Sequence, residues 1–456
     1  MNLLALDLGS SSVKAAILHH GQPVSDIARV PFATRYDGNR VEVDPAAILK
    51  ALAKAIRELG PLTKKVDLVA LATMGPSWVA MDKRGKAITP IVTHQDRRST
   101  TVAIDLEKRV GKKRHLSVVG TRPIPGGISS TTYSWFLQNA PGVMRRADLV
   151  GHLTTFVHRQ MTHSRVVDPS HASFMGLYDT MKHGGWHDGL IEAVGASEHC
   201  LPQVLGADEI AGMVTRDGQR QFGLRHGTPV LTGLVDGSAA MLLAGAKPGQ
   251  LVNVCGSTDV LALCCEKPTP HEQLLTRSLG VGDLFLSVST VASSGSSLVW
   301  AHKTFFADLI DDQFFGLVGS VSRDTDHRQS ATGNRKSAKR AAVEPPSTVP
   351  IFHPYLAGDR TAVEQPTGAF TNLTLSTTRH DLLAAILRAL AKASADRLPL
   401  LQAAGNCKFS RKVFLTGGAD DTLHATLTRD WPGHWSFQPH HEATLIGLSK
   451  LPPLDL

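Results

Sequence analysis

Two aspartates stand where a carboxylate could do chemistry. Asp236 lies in Pro229-Val230-Leu231-Thr232-Gly233-Leu234-Val235-Asp236-Gly237-Ser238-Ala239-Ala240. The apolar, β-branched run predicts a buried strand that breaks at glycine and passes into a small-residue helix through Ala246. A carboxylate at such a strand-to-helix turn can cap the helix by accepting from its first free N–H groups. It can equally be aimed into a cleft to take a proton from a substrate. The stretch by itself leaves both roles open. Asp7 closes a first apolar strand and opens Leu8-Gly9-Ser10-Ser11-Ser12-Val13-Lys14. Apolar residues on both sides of this Gly/Ser turn predict a hairpin. Its N–H groups, three hydroxyls and lysine could cradle phosphate oxygens, while the carboxylate could hold Mg²⁺ through water. GxxxxGK[ST] is absent, and an ordinary polar hairpin is the alternative.

The second half repeats the design. Leu251 to Leu263 again reads as strand, Gly256-Ser257-Thr258 turn, strand. Two such hairpins suggest duplicated domains facing each other over a nucleotide. Val413-Phe414-Leu415-Thr416-Gly417-Gly418-Ala419 runs a strand into glycines, which would let the backbone approach a flat ligand closely. In the first half, Thr93-His94-Gln95-Asp96-Arg97-Arg98-Ser99 follows the strand-like Ile91-Val92. Its acid, arginines and amide suit a polyhydroxylated ligand, with a surface ion pair as the alternative.

The elements that must position these residues follow from periodicity and breakers. Helices are predicted over residues 46–59, 190–194, 297–309 and 381–398, and a buried strand over 66–72. A hairpin over 79–85 turns near Arg84-Gly85. At 456 residues the chain exceeds one ordinary core, which predicts two domains. With 42% hydrophobic and 19% charged residues it is globular and not intrinsically disordered, and no apolar run is long enough to span a bilayer. The N-terminus starts directly in a strand, and a cytoplasmic protein is expected. Five cysteines without CxxC spacing read as buried free thiols. Much of the net charge of +8 falls in one segment with Arg323, Arg328, Arg335, Lys336, Lys339 and Arg340. It lacks aromatics, so a solvated loop over about 321–348 is expected rather than a nucleic-acid surface.

In their order along nearly the whole chain, these motifs resemble those of the FGGY carbohydrate kinases, the family of xylulokinase, ribulokinase and glycerol kinase. Asp7 to Lys14 resembles the family's first phosphate motif, Asn253 to Thr258 its second, and Thr416 to Ala419 its adenosine motif. Asp168 to Asp179 and Tyr355-Leu356-Ala357-Gly358-Asp359-Arg360-Thr361 are similar to two further family segments. Asp236 falls where the family keeps its catalytic aspartate. The resemblance implies two actin-like (ribonuclease H-like) α/β domains around a nucleotide cleft, an N-terminal one over 1–246 and a C-terminal one over 247–456. It implies ATP with Mg²⁺, and phosphorylation of the terminal hydroxyl of a sugar, with a ketopentose (xylulose or ribulose) first. Kinases of ribitol, sedoheptulose, glycerol or erythritol, or a catalytically silent binding protein on the same fold, are the alternatives. Asp236 would be the base and Asp7 the Mg²⁺ carboxylate, with Asp236 beside it. Gly9, Ser10, Ser11, Ser12, Lys14, Gly256, Ser257, Thr258, Gly417, Gly418 and Ala419 would hold the nucleotide. Ser77, Trp78, Gln95, Asp96 and Arg98 would hold the sugar; a homodimer is possible. The chain departs from the family pattern at residues 73–78, without the usual Gln and His, and at Thr132, Asn372, Arg388-Ala389 and Asp421; Trp135 is kept.

Overall fold

A computed structural model describes residues 1–332, 349–418 and 421–451, without the side chains of 323–332. The predicted hairpin forms from the strands Asn2–Leu8 and Ser12–His19, antiparallel with Asp7 opposite Lys14. Both are buried on both faces, which explains their nearly unbroken apolar sequence. The Leu68–Thr73 strand adds parallel to the first, with Asp7 beside Ala72. Pro229–Leu231 and Leu234–Val235 pair parallel with Leu68–Thr73 in turn. The predicted strand at 229–235 is therefore two short strands. They are split at Gly233, whose positive φ of 75° lets the chain pass the Leu71 carbonyl without a Cβ in the way.

The second half builds the same unit. Leu251–Cys255 and Asp259–Cys265 form the antiparallel hairpin, and Lys412–Gly417 adds parallel to its first strand, placing Gly417 beside Cys255. Phe285–Val291 and Leu275–Ser278 extend this sheet on one side and Ser436–Pro439 on the other. In both sheets the turn of the hairpin lies next to the end of the parallel strand. The two polar turns thus gain the segments Met74-Gly75 and Gly417-Gly418 as neighbours.

The helices predicted at 46–59, 190–194, 297–309 and 381–398 appear as Pro45–Glu58, Asp188–Val194, Gly295–Phe305 and Arg379–Gly405. Asp44 caps the first through the Ala46 N–H, and Thr378 with Asp381 forms a capping box on the last. The helix after Asp236 ends at Leu243, three residues short of the expected Ala246, which takes a positive φ. The basic segment also differs from the expectation of a loop. A helix spans Asp311–Thr332 and so takes in its first part, with Phe314 and Val318 buried; Arg335, Lys336, Lys339 and Arg340 lie outside the described residues. The chain's last described residues return to the first domain. Leu445, Leu448 and Leu451 pack with Leu3, Ala5, Ala16 and Leu18, and Gly447 lies so close to Ala239 that any Cβ would collide with its carbonyl. Four of the five cysteine thiols are buried and none is in a disulfide. No helix among the described residues is long and apolar enough to cross a membrane.

Candidate active site

A cavity of about 520 Å³ opens between the two sheets. Asp236 lines it. The N-cap of its helix is Val235, and no side chain caps that end, so Asp236 is not the cap. It stands at the first helical position, half-buried, and among the described residues its Oδ1 accepts only from the Gly237 N–H at 2.6 Å. Burial pushes its carboxyl above the usual range, and Arg277, His171 and Arg360 pull the other way. The strand before it is held from behind. Ser170 Oγ accepts from the Val235 N–H at 3.0 Å, and the buried Asp168 caps the Pro169–Met175 helix while accepting from Ser170 and His171. His171 Nε2 lies 2.8 Å from Thr73 Oγ1, closing this network onto the first sheet.

Asp7 is 6% exposed, at the end of its strand. Burial raises its carboxyl to about 7; Lys14 opposes this, while Asp236 and Glu442 add to it. Lys14 Nζ sits 3.5 Å from Asp7 Oδ2 and 2.7 Å from Glu442 Oε2, and Arg29 holds the other Glu442 oxygen at 2.6 Å. Glu442 begins the C-terminal return, so this ion network ties the first polar turn to the helix Ala443–Gly447 near the end of the described chain. Of the first turn, Ser10 and Lys14 line the cavity. Gly9 donates its N–H to the Ser12 carbonyl at 3.1 Å, which shapes the turn, and Ser11 is exposed.

The second turn is braced by a helix N-terminus. The Ser257 carbonyl accepts from the Ser294 and Ser296 N–H groups and the Gly256 carbonyl from Gly295, each at 3.1 Å. Ser257, Thr258, Gly417 and Gly418 line the cavity. Ala419 lies outside the described residues. Among the described residues no group of three or more His, Cys, Asp or Glu is built to hold a metal. Mg²⁺ needs no such cage, since it binds through one or two carboxylates together with phosphate oxygens and water. Asp7, buried at the cavity's edge and within electrostatic reach of Asp236, fits that donor set although it does not itself line the cavity.

The sugar-side expectations are corrected in part. Gln95 lines the cavity, with Oε1 accepting from Tyr36 at 3.2 Å. Ser77 does not: it is buried, donating to the Met74 carbonyl and accepting from the Leu153 N–H. Trp78 is 1% exposed and stacks on Phe136 at 4.9 Å in the core. Alternation along the Ser77–Met81 strand is lost because both its faces are covered. Asp96 and Arg98 are also turned away from the cavity. They pair bidentately at 2.7–3.0 Å, Arg98 also reaches Glu42 at 2.5 Å, and Asp96 accepts from the Val41 N–H at 2.8 Å. This pair is neither a sugar clamp nor a surface bridge; it is a buried brace. In place of these four residues the cavity is lined by Met74, Gly75, His94, Phe174, Arg277 and Arg360. His94 was in the polar loop and Arg360 in the 355–361 segment, so both were visible in the sequence. Arg277 was not, because a strand interior of Leu-Thr-Arg-Ser carries no signal for what it faces.

Comparison with known proteins agrees with this geometry. The model of the FGGY family of carbohydrate kinases, N-terminal domain, matches residues 2–243. The chain is 23% identical over 393 residues to a gluconokinase of Bacillus subtilis, covering 84% of this chain and 74% of that one. It is 24% identical over 439 residues to the xylulose kinase of Escherichia coli, covering 94% and 84%. Among solved structures, xylulose kinase from Rhodospirillum rubrum superimposes with a TM-score of 0.80 at 20% identity, covering 98% of this chain and 88% of that one. Gluconate kinase from Lactobacillus acidophilus gives 0.81 at 16%, covering 99% and 88%. These structures share the two-domain actin-like fold. The chain belongs to the FGGY family of carbohydrate kinases, ATP-dependent phosphotransferases that act on an alcohol group.

Proposed function

We propose that this kinase transfers the γ-phosphoryl group of ATP to a terminal hydroxyl of a polyhydroxylated substrate, with Asp236 as the general base. The observation that carries the reading is that Asp236 is freed from capping and lines the same cavity as both polar turns. A sugar hydroxyl is a weak nucleophile at neutral pH. Asp236 takes its proton as the oxygen bonds to the γ-phosphorus and the bond from phosphorus to the β–γ bridging oxygen breaks, releasing ADP. Burial makes this carboxylate a stronger base than one in water. Ser10, Lys14, Ser257 and Thr258 would hold phosphate oxygens, and Gly417-Gly418 would let the nucleotide lie against the backbone. Asp7, with Asp236, would hold Mg²⁺, which supplies charge neutralisation to the phosphates when bound. We divide the chain near Lys247, between the helix that carries Asp236 and the second hairpin, with residues 443–451 packed back on the first domain.

The relatives are named for gluconate, xylulose and glycerol, so their names do not choose an acceptor. The ketopentose expectation rests on the family resemblance. A neutral ketose needs only hydrogen-bonding partners, and His94 and Gln95 can provide them. ADP release over a panel of ketoses, polyols and sugar acids tests the reading. Asp236→Asn is expected to lower sugar-dependent turnover roughly 10²–10⁴-fold. Full activity in that variant, or no ADP release with any acceptor, would overturn it.

A further inference from the structure

Two guanidinium groups from the second half of the chain enter the cavity beside Asp236. Arg277 is 5% exposed. Its Nη1 donates to Ser238 Oγ at 2.5 Å and to the Ser278 carbonyl at 3.2 Å, and its guanidinium lies 5.6 Å from the centre of the Phe174 ring. Those partners are neutral. Arg360 lines the same cavity half-buried, close to the cationic Arg97 and to His94. Among the described residues neither arginine has a carboxylate within ion-pair distance. The other acids nearby are engaged: Asp168 by Ser170 and His171, Glu442 by Lys14 and Arg29. Asp236 is the acid beside both arginines and the buried Asp168 also draws on Arg277, yet among the described residues neither guanidinium has a carboxylate in direct contact in this partly desolvated space. Such a charge is costly unless a ligand answers it.

The place of this charge matters. Arg277 touches Phe174 and Ser238, neither of which belongs to a phosphate turn. Arg360 sits against the polar loop that carries His94 and Gln95. Both therefore belong to the acceptor end. A guanidinium fork matches a planar carboxylate with two parallel hydrogen bonds. Building on the phosphoryl-transfer reading above, we infer that the acceptor is a polyhydroxy acid of the aldonic type, its carboxylate anchored by Arg277 with Arg360 as the second cation.

The test pairs aldonates of increasing chain length, each beside the neutral alditol with CH₂OH in place of the carboxylate. ADP release and ligand-induced thermal stabilisation are read on the native chain, Arg277→Met and Arg277→Lys. Native protein is expected to prefer one aldonate over its alditol. Arg277→Met should reduce that preference about 10- to 100-fold, chiefly through KM, as expected for losing a charged hydrogen-bonded pair. Arg277→Lys should recover part of it. Preference for a neutral ketose or polyol, with no aldonate stabilising the protein, would overturn the inference and leave the kinase reading intact. So would an equal fall in kcat for acid and neutral acceptors in Arg277→Met, which would assign the arginine to the transferred phosphoryl group. Stabilisation by inorganic phosphate but by no aldonate would also overturn it. Aldonate stabilisation lost in Arg277→Met, without ADP release from any acceptor, would uphold the carboxylate site and overturn the kinase reading.

Discussion

Arg397→Ala should unsettle the ATP half of the site without touching the cavity. Asp259 follows Thr258 directly and opens the second strand of the C-terminal hairpin. It is 1% exposed. Arg397, from the Arg379–Gly405 helix and 4% exposed, reaches Asp259 Oδ2 with Nη2 at 2.5 Å and the Asp259 carbonyl with Nη1 at 3.2 Å. Asn253 donates to the other carboxylate oxygen at 2.5 Å. Ser394 accepts from Arg397 at 2.8 Å and from the Trp431 indole at 2.9 Å, which extends the brace across the helix. Removing the guanidinium leaves a buried carboxylate with one neutral donor, a change that costs about 3–5 kcal/mol. At roughly 2–4 °C per kcal/mol for a domain of this size, Tm should fall by about 6–20 °C. The KM for ATP should rise, because the strand that loses its anchor carries the Gly256–Thr258 turn at its mouth. The double variant Arg397→Met with Asp259→Leu should regain most of the stability, since paired apolar side chains replace buried ion pairs at little cost. The assays are chemical denaturation and ATP saturation kinetics. A loss below about 1 kcal/mol in Arg397→Ala would refute the idea that this pair anchors the turn.

Three further outcomes follow from the same geometry. Asp7 has its carboxyl raised to about 7, so the folded chain holds this proton more tightly than the unfolded chain. Stability without nucleotide should therefore fall as pH rises from about 4 to 7, by on the order of 4 kcal/mol at 1.4 kcal/mol per tenfold. Asp7→Asn should flatten that slope in urea denaturation and be the more stable protein at pH 8, while losing ATP turnover. Arg98→Ala should behave as a core lesion: about 3–5 kcal/mol lost because Asp96 and Glu42 are left without their shared cation, with a KM for the acceptor that moves far less than in Arg277→Met. Gly417→Ala should lower Tm and weaken ATP binding together, since a Cβ there would meet the Cys255 backbone and the residue holds a φ of 112°; an unchanged KM for ATP would contradict the placement of that glycine against the nucleotide.

What could be read from the sequence and what could not divides along one physical line. Local chemistry was legible: the two hairpins, the strand that breaks at Gly233, and the helix starting at Asp236 all follow from β-branched runs, glycines and short-range periodicity. Those same signals placed Ser10, Lys14, Ser257, Thr258 and Asp236 around one cavity, with Asp7 buried behind Lys14, because a turn between two buried strands has only the sheet end to occupy. The acceptor side was not legible, because it is assembled from residues whose roles depend on burial. Asp96-Arg97-Arg98 has the composition of a ligand grip, yet covering the loop made Asp96 and Arg98 satisfy each other and Glu42. Ser77 and Trp78 lie next to a cavity residue, Gly75, but the strand they begin is covered on both faces. Arg277 shows the reverse case. In sequence it is the one charged residue in a four-residue strand; in the fold its sheet turns it toward the first half of the chain, where Phe174 and Ser238 hold it beside Asp236. A buried acid next to a buried base looks like a site and becomes a brace, whereas a lone buried base facing a cleft has to find its counterion elsewhere. In this chain the guanidinium with a direct ion pair belongs to the scaffold, and the one without it carries the proposed acceptor contact.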